Sequence, residues 1–196
     1  MAIEEVNRLK ELDFNKQLAF AYLTCERVFP NYVYFAKTYK FGNQSVLRDA
    51  IDFIYDSIFR QDDIDKQKIE HFLTTIYQNT PSTNDFATFY ATIAMYSGGV
   101  VYESINLLKK TGTDKILIDI ATMSTDAIDC FIQERDDLDY KDGDLEKKIL
   151  TDSLMQTEIE LQKGIISYLS KIDKIEPSDI NTLIQFQENK RSILKL

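Results

Sequence analysis

Phe14, Leu18, Ala21, Cys25 and Phe29 recur at intervals of three and four residues, the spacing of one face of an α-helix. Phe20 and Leu23 are also apolar but lie off that stripe. The segment Asn15–Phe29 is therefore predicted to be a central helix, buried on most sides. Pro30 is expected to end it, because proline lacks a backbone donor and disfavours helix in the residue before it. Asn31 is read as the cap of a third helix, Tyr32–Lys40, with Gly42 as its stop.

The same period continues along the chain. A short amphipathic helix is read over Ile3–Leu12. Val46, Leu47, Ala50, Ile51, Ile54 and Ile58 form the inner face of a helix capped by Ser45. Ile69, Phe72, Leu73 and Ile76 do the same for one that Asp65 starts. NTPSTND, residues 79–85, is the clearest loop, and Ser82 with Asp85 has capping-box spacing. A helix then runs from Asp85 to Lys110 through Gly98-Gly99. Each of these glycines costs about 1 kcal/mol relative to alanine, so close packing or a kink is expected there, with ligand approach as the other explanation. Gly112 closes this helix and Thr113 caps the next, Asp114–Glu134. Leu145, Ile149, Leu154, Leu161, Ile165, Tyr168 and Ile172 share one register, predicting a single long helix over Leu145–Ile172. Ser178 caps a short tail helix.

Composition agrees with this reading. Only 6 Gly and 3 Pro among 196 residues are too few for the frequent turns of a β-rich fold, while 12 Phe and 11 Tyr supply ample core. The expected fold is all-α: a single domain over residues 1–196, an antiparallel array of about seven or eight helices.

Charge narrows the partners. The net charge is −9, and even the C-terminal ENKRSILKL carries only three positive residues. Neither nucleic acid nor an anionic membrane suits such a field. The longest apolar run falls well short of the ~20 residues that span a bilayer. Cys25 and Cys130 form no disulfide framework, and the N-terminus is charged and amphipathic rather than a signal peptide. A reduced, cytoplasmic protein is expected.

Catalytic and metal-binding motifs are missing. His71 is the one histidine, adjacent to Glu70 rather than three residues from it, so no di-iron or zinc pattern arises. No metal or other cofactor is expected. The acidic loop 135–144 fails the EF-hand pattern, since Leu138 and Tyr140 fall on ligand positions. A Cys25–His71 pair has nothing in the sequence to bring it together. Asp49, Asp52 and Asp56, and again Asp119, Asp126 and Asp129, read as the wet sides of helices. The best site candidate is CERVFPNYVYF, residues 25–35. There Glu26, Arg27, Asn31 and Tyr32 make either a braced corner or a small polar pocket walled by tyrosines. In the first case Arg27 is buried and paired with a carboxylate, Glu26 or one from another helix.

The same stretch carries a resemblance. Leu18-Ala19-Phe20, Glu26-Arg27, Pro30-Asn31-Tyr32, Phe35 and Phe41-Gly42 resemble the signature of the YjaG-like bacterial family (domain of unknown function 416). The likeness is dense over residues 12–59 and scattered afterwards, at Asp85, Tyr90 and 159–165. The sequence departs from the family pattern at Ala91-Thr92-Ile93-Ala94, where an aspartate is expected, and lacks the tryptophans expected around Tyr55 and Ser57. The resemblance implies an all-helical fold and an association with bacterial signalling proteins, and it implies no activity. The functional expectation is a non-enzymatic protein that binds itself or another protein. The alternative is a small-molecule binder or enzyme using Glu26, Arg27, Asn31 and Tyr32.

Overall fold

The computed structural model describes residues 3–60 and 64–189; most of the basic C-terminal stretch noted above, from residue 190, lies outside the described residues. Among them are nine α-helices and no strand. They are α1 (Ile3–Glu11), α2 (Phe14–Tyr39), α3 (Gln44–Ile58), α4 (Lys66–Asn79), α5 (Phe89–Leu107), α6 (Thr113–Arg135), α7 (Leu145–Thr151), α8 (Ser153–Leu169) and α9 (Pro177–Asn189).

α2 is the axis of the fold. Leu18, Phe20, Ala21, Leu23 and Cys25 are all fully buried, which is what an apolar sequence on several faces requires. It packs against α3, α5, α6, α8 and α9. Each large apolar side chain removed from water contributes about 1.5–3 kcal/mol. Asp13 starts the helix by accepting from the Lys16 amide at 3.1 Å. A smaller apolar cluster of Ile128, Ile132, Ile149 and Met155 joins α6, α7 and α8.

The predicted break at Pro30 is absent, because α2 continues through it to Tyr39. Pro30 is exposed, so its missing N–H falls on the side away from the core, while Val28, Tyr32 and Phe35 are buried. Burial on both sides of the proline outweighs its penalty of ~3 kcal/mol. Asn31 is thus a mid-helix residue rather than a cap, and there is no corner.

The opposite correction applies near residue 152. The predicted long helix Leu145–Ile172 is two helices, α7 and α8. Asp152 is extended (φ −66°, ψ 140°), accepts from the Leu154 amide at 2.8 Å and pairs with Arg135 at 2.6 Å. A capping carboxylate at that point stops one helix and starts the next.

Local caps also move. Asn43, not Ser45, caps α3 by accepting from the Ser45 amide. Asp65 caps α4. Ser82 and Asp85 close a turn, the Asp85 amide donating to the Ser82 carbonyl, and α5 begins later, at Phe89. Gly112, with φ 64°, stands at the cap position of α6 in place of Thr113. Lys40 ends α2 in the left-handed region. Gly42 follows with φ 74°, where a Cβ would lie 2.3 Å from the Tyr32 hydroxyl. That hydroxyl donates to the Asn79 carbonyl at 2.6 Å, so Gly42 lets α2 and the end of α4 meet.

Candidate functional site

Glu26 and Arg27 are neighbours on a helix, so their side chains diverge by about 100°. The divergence separates two worlds. Arg27 points inward and is 4% exposed, and its partner is Glu158 of α8, 1% exposed. The pair is bidentate: Nε and Nη2 donate to the two Glu158 oxygens, each at 2.8 Å. Nη1 donates to Gln187 Oε1 of α9 and, at 3.4 Å, to the Leu23 carbonyl. Ser124 of α6 donates to Glu158 Oε1 at 2.9 Å, as does Gln162 Nε2. Four helices therefore meet at one polar knot, in which the guanidinium fork and the carboxylate satisfy each other.

Glu26 points the other way. Its carboxylate receives both Nη atoms of Arg48 of α3, at 3.0 and 2.7 Å, and Arg48 also holds Asp52. This pair is partly exposed, at 25% for Glu26 and 32% for Arg48. Burial, with Glu26 nearby, raises the Tyr22 phenol above its ordinary range. Asn31 is buried, and its Oδ1 has no hydrogen-bond partner among the described residues. Tyr32 is buried against Gly42, and burial pushes its phenol up to about 12. The candidate residues thus share a helix but diverge: Arg27, Glu26 and Tyr32 each face a different partner helix.

Cys25 is fully buried and donates to Ser104 Oγ of α5 at 3.3 Å, and burial pushes its thiol up to about 12. His71 is exposed on α4, so the two make no dyad. Among the described residues no group of three His, Cys, Asp or Glu is placed to hold a metal ion, and no helix is long and apolar enough to cross a membrane. On the wet helix faces, Asp52 pairs with Arg48, Asp56 with Arg60 and Asp119 with Lys115.

Concave surface lies elsewhere. A cleft of about 720 Å³ opens along α5, between the end of α4 with its following loop and Met123 of α6. Phe41, Tyr77, Met95, Tyr96 and Tyr102 line it, with Asp85 and Glu103 among its charged residues. Its size lies within the range of ligand and docking clefts. Gly98 and Gly99 also line it. A Cβ on Gly98 would come within 2.3 Å of Thr80 Oγ1, and one on Gly99 within 2.8 Å of Met123 Sδ. The glycine pair therefore serves close packing, and α5 runs on through it. A second cleft of about 600 Å³ shares Tyr96 and is lined by Asp126, Asp129, Glu134 and Asp137, with Cys130. Burial and the neighbouring Asp129 raise the Asp126 carboxyl above its ordinary range.

Sequence reasoning did not find Glu158, Gln187 or either cleft. Glu158 had a signal. It stands in register between Leu154 and Leu161 on the inward stripe of α8, where a charge must find a buried partner. The clefts had none, because their walls come from four separate segments.

The family model described as Protein of unknown function (DUF416) matches residues 4–192 of the chain. The proteins YjaG of Escherichia coli (strain K12) and Salmonella typhimurium, both described as uncharacterized, are 23% and 22% identical to it over 196 residues. The matches span 92% of this chain and 96% of each relative. The crystal structure of a DUF416 family protein from Shewanella baltica OS155 superposes with a TM-score of 0.82 at 22% identity, covering 96% of this chain and 94% of that one. At that identity the likeness establishes the fold.

Proposed function

The chain belongs to the DUF416 family of proteins of unknown function, and from that premise we propose that it is a non-enzymatic interaction protein of the cytoplasm that docks a protein partner in the cleft along α5. One observation carries the reading: Phe41, Met95, Met123 and the three tyrosines Tyr77, Tyr96 and Tyr102 converge on a cavity of about 720 Å³. Such residues suit interface cores, where aromatic side chains and Met are enriched. Tyr77 stands 76% exposed at this cleft, an aromatic ring left in water. The proposal takes the chain as one domain of antiparallel neighbouring helices, whose interior supplies rigidity and whose α5 surface supplies contact.

The alternative pocket of Glu26, Arg27, Asn31 and Tyr32 has less support. Arg27 is enclosed by Glu158 and Gln187, and Glu26 is held by Arg48. A photo-crosslinking amino acid at position 77 tests the proposal in living cells. A discrete protein adduct that disappears on Met123→Glu supports docking at the cleft. No adduct at position 77 overturns it. Native mass measurement on the purified chain decides whether a second copy is also a partner.

A further inference from the structure

The two clefts that share Tyr96 differ in character and agree in sign. The first offers apolar and aromatic walls with Asp85 and Glu103 among them. The second offers Asp126, Asp129, Glu134 and Asp137. Together they hold six carboxylates, and among the described residues neither lining contains a Lys, Arg or His. Arg135 follows Glu134 in the chain but is committed elsewhere, at 2.6 Å to both Asp136 and Asp152. Asp129 is met by the neutral amide of Gln133, and Glu103 by that of Asn106, so neither contact cancels charge.

Resting on the interaction reading above, we infer that the two clefts form one continuous groove whose occupant is a basic amphipathic segment of another protein. Its apolar side chains enter between Tyr77, Tyr96 and Met123, and its Lys or Arg residues lie over Asp126 and Asp129. Charge complementarity selects this partner. An apolar segment bearing acids meets six carboxylates of like sign, which disfavours it strongly. A second copy of this chain, itself of net charge −9, arrives with the wrong field. A basic segment gains from both halves of the groove, with anchoring from the aromatic and Met walls and steering from the acids.

The chain contains no tryptophan, so a peptide with a single Trp reports binding by its own fluorescence. Three synthetic amphipathic peptides serve as probes of the full chain: one with Leu and Lys faces, one with Glu replacing every Lys, and one with Ser replacing every Leu. The Leu/Lys peptide is expected to bind, and the other two are not. Tyr77→Ser is expected to weaken binding at least about tenfold. Asp126→Asn with Asp129→Asn is expected to weaken it and to flatten its dependence on salt. Thermal melts of each variant confirm that it is folded. Equal binding of the Ser peptide reduces the effect to bulk charge and overturns the inference, as does Leu/Lys binding that ignores both sets of substitutions. Binding of the Leu/Glu peptide through Tyr77 overturns the basic partner while leaving the interaction reading intact. Absence of peptide binding, together with absence of any adduct at position 77, overturns both.

Discussion

Arg27–Glu158 and Glu26–Arg48 are two bidentate ion pairs made by adjacent residues of one helix, and they are physically different objects. The first is sealed, at 4% and 1% exposure, and joins helices far apart in the chain. The second is about one-quarter to one-third exposed and joins two consecutive helices. Taking charges out of water costs several kcal/mol per ion, which good geometry offsets only while both partners are present. A partly exposed pair is screened by water and salt and contributes little either way. One step along α2 therefore converts a surface contact into an obligation. The comparison teaches that a charged residue's consequence follows from the direction of its side chain, not from its neighbours in sequence.

The harshest break is Arg27→Ala. It strips the Arg27 guanidinium from the buried Glu158 carboxylate and is expected to cost about 3–5 kcal/mol, read from the urea midpoint. A loss below about 1 kcal/mol erases the difference between the pairs. Arg27→Met combined with Glu158→Leu sharpens the same point. Removing both charges takes away the desolvation cost along with the attraction, so the double variant should regain most of what Arg27→Ala loses. Persistence of the full single-variant loss argues instead that the bonds to Gln187 and Ser124 dominate.

On the outer side, Arg48→Ala is expected to cost at most about 1 kcal/mol, and less at high salt. Equal losses at low and high salt would mean that the pair is effectively dry. The smallest effect concerns the cysteines, which repeat the contrast. Cys25, sealed against α5, should resist a thiol reagent at neutral pH, whereas Cys130, half-buried beside the acidic cleft, should react slowly, because only the exposed thiolate attacks. Burial raises the Cys25 thiol from about 9 to about 12, so the folded chain holds that proton more tightly than the unfolded one. Its contribution is present below about pH 9 and is lost as pH rises toward 12. Cys25→Ala should make the urea midpoint fall less steeply over that window than in the parent; parallel profiles would refute the assignment.

Much of this was legible in the chain. The three- and four-residue spacing marked the inner faces of α2, α3, α4 and the α7–α8 stretch, and the apolar surround of residues 14–29 announced a buried α2. Burial of Arg27 followed from its place on that helix. The partner did not follow. Glu158 is 131 residues away, and only its odd position on an inward stripe hinted at its role. Pro30 and Asn31 read as a turn that starts a new helix at Tyr32, because Pro30 is a strong local signal, and that signal yields to packing on both sides.

What is local and periodic is written in the chain itself: helices rather than strands, several of their inner faces, and a net charge of −9. These follow from side-chain spacing and composition, which need no knowledge of where any helix goes. Packing between helices settled that a proline stays inside a helix, that Asp152 divides another, and that Arg27 closes on Glu158 while Glu26 opens toward Arg48. It alone brought two clefts together at Tyr96. Those outcomes depend on which surfaces meet, and the burial free energy of those meetings exceeds the local preferences of about 1–3 kcal/mol that a chain displays on its own.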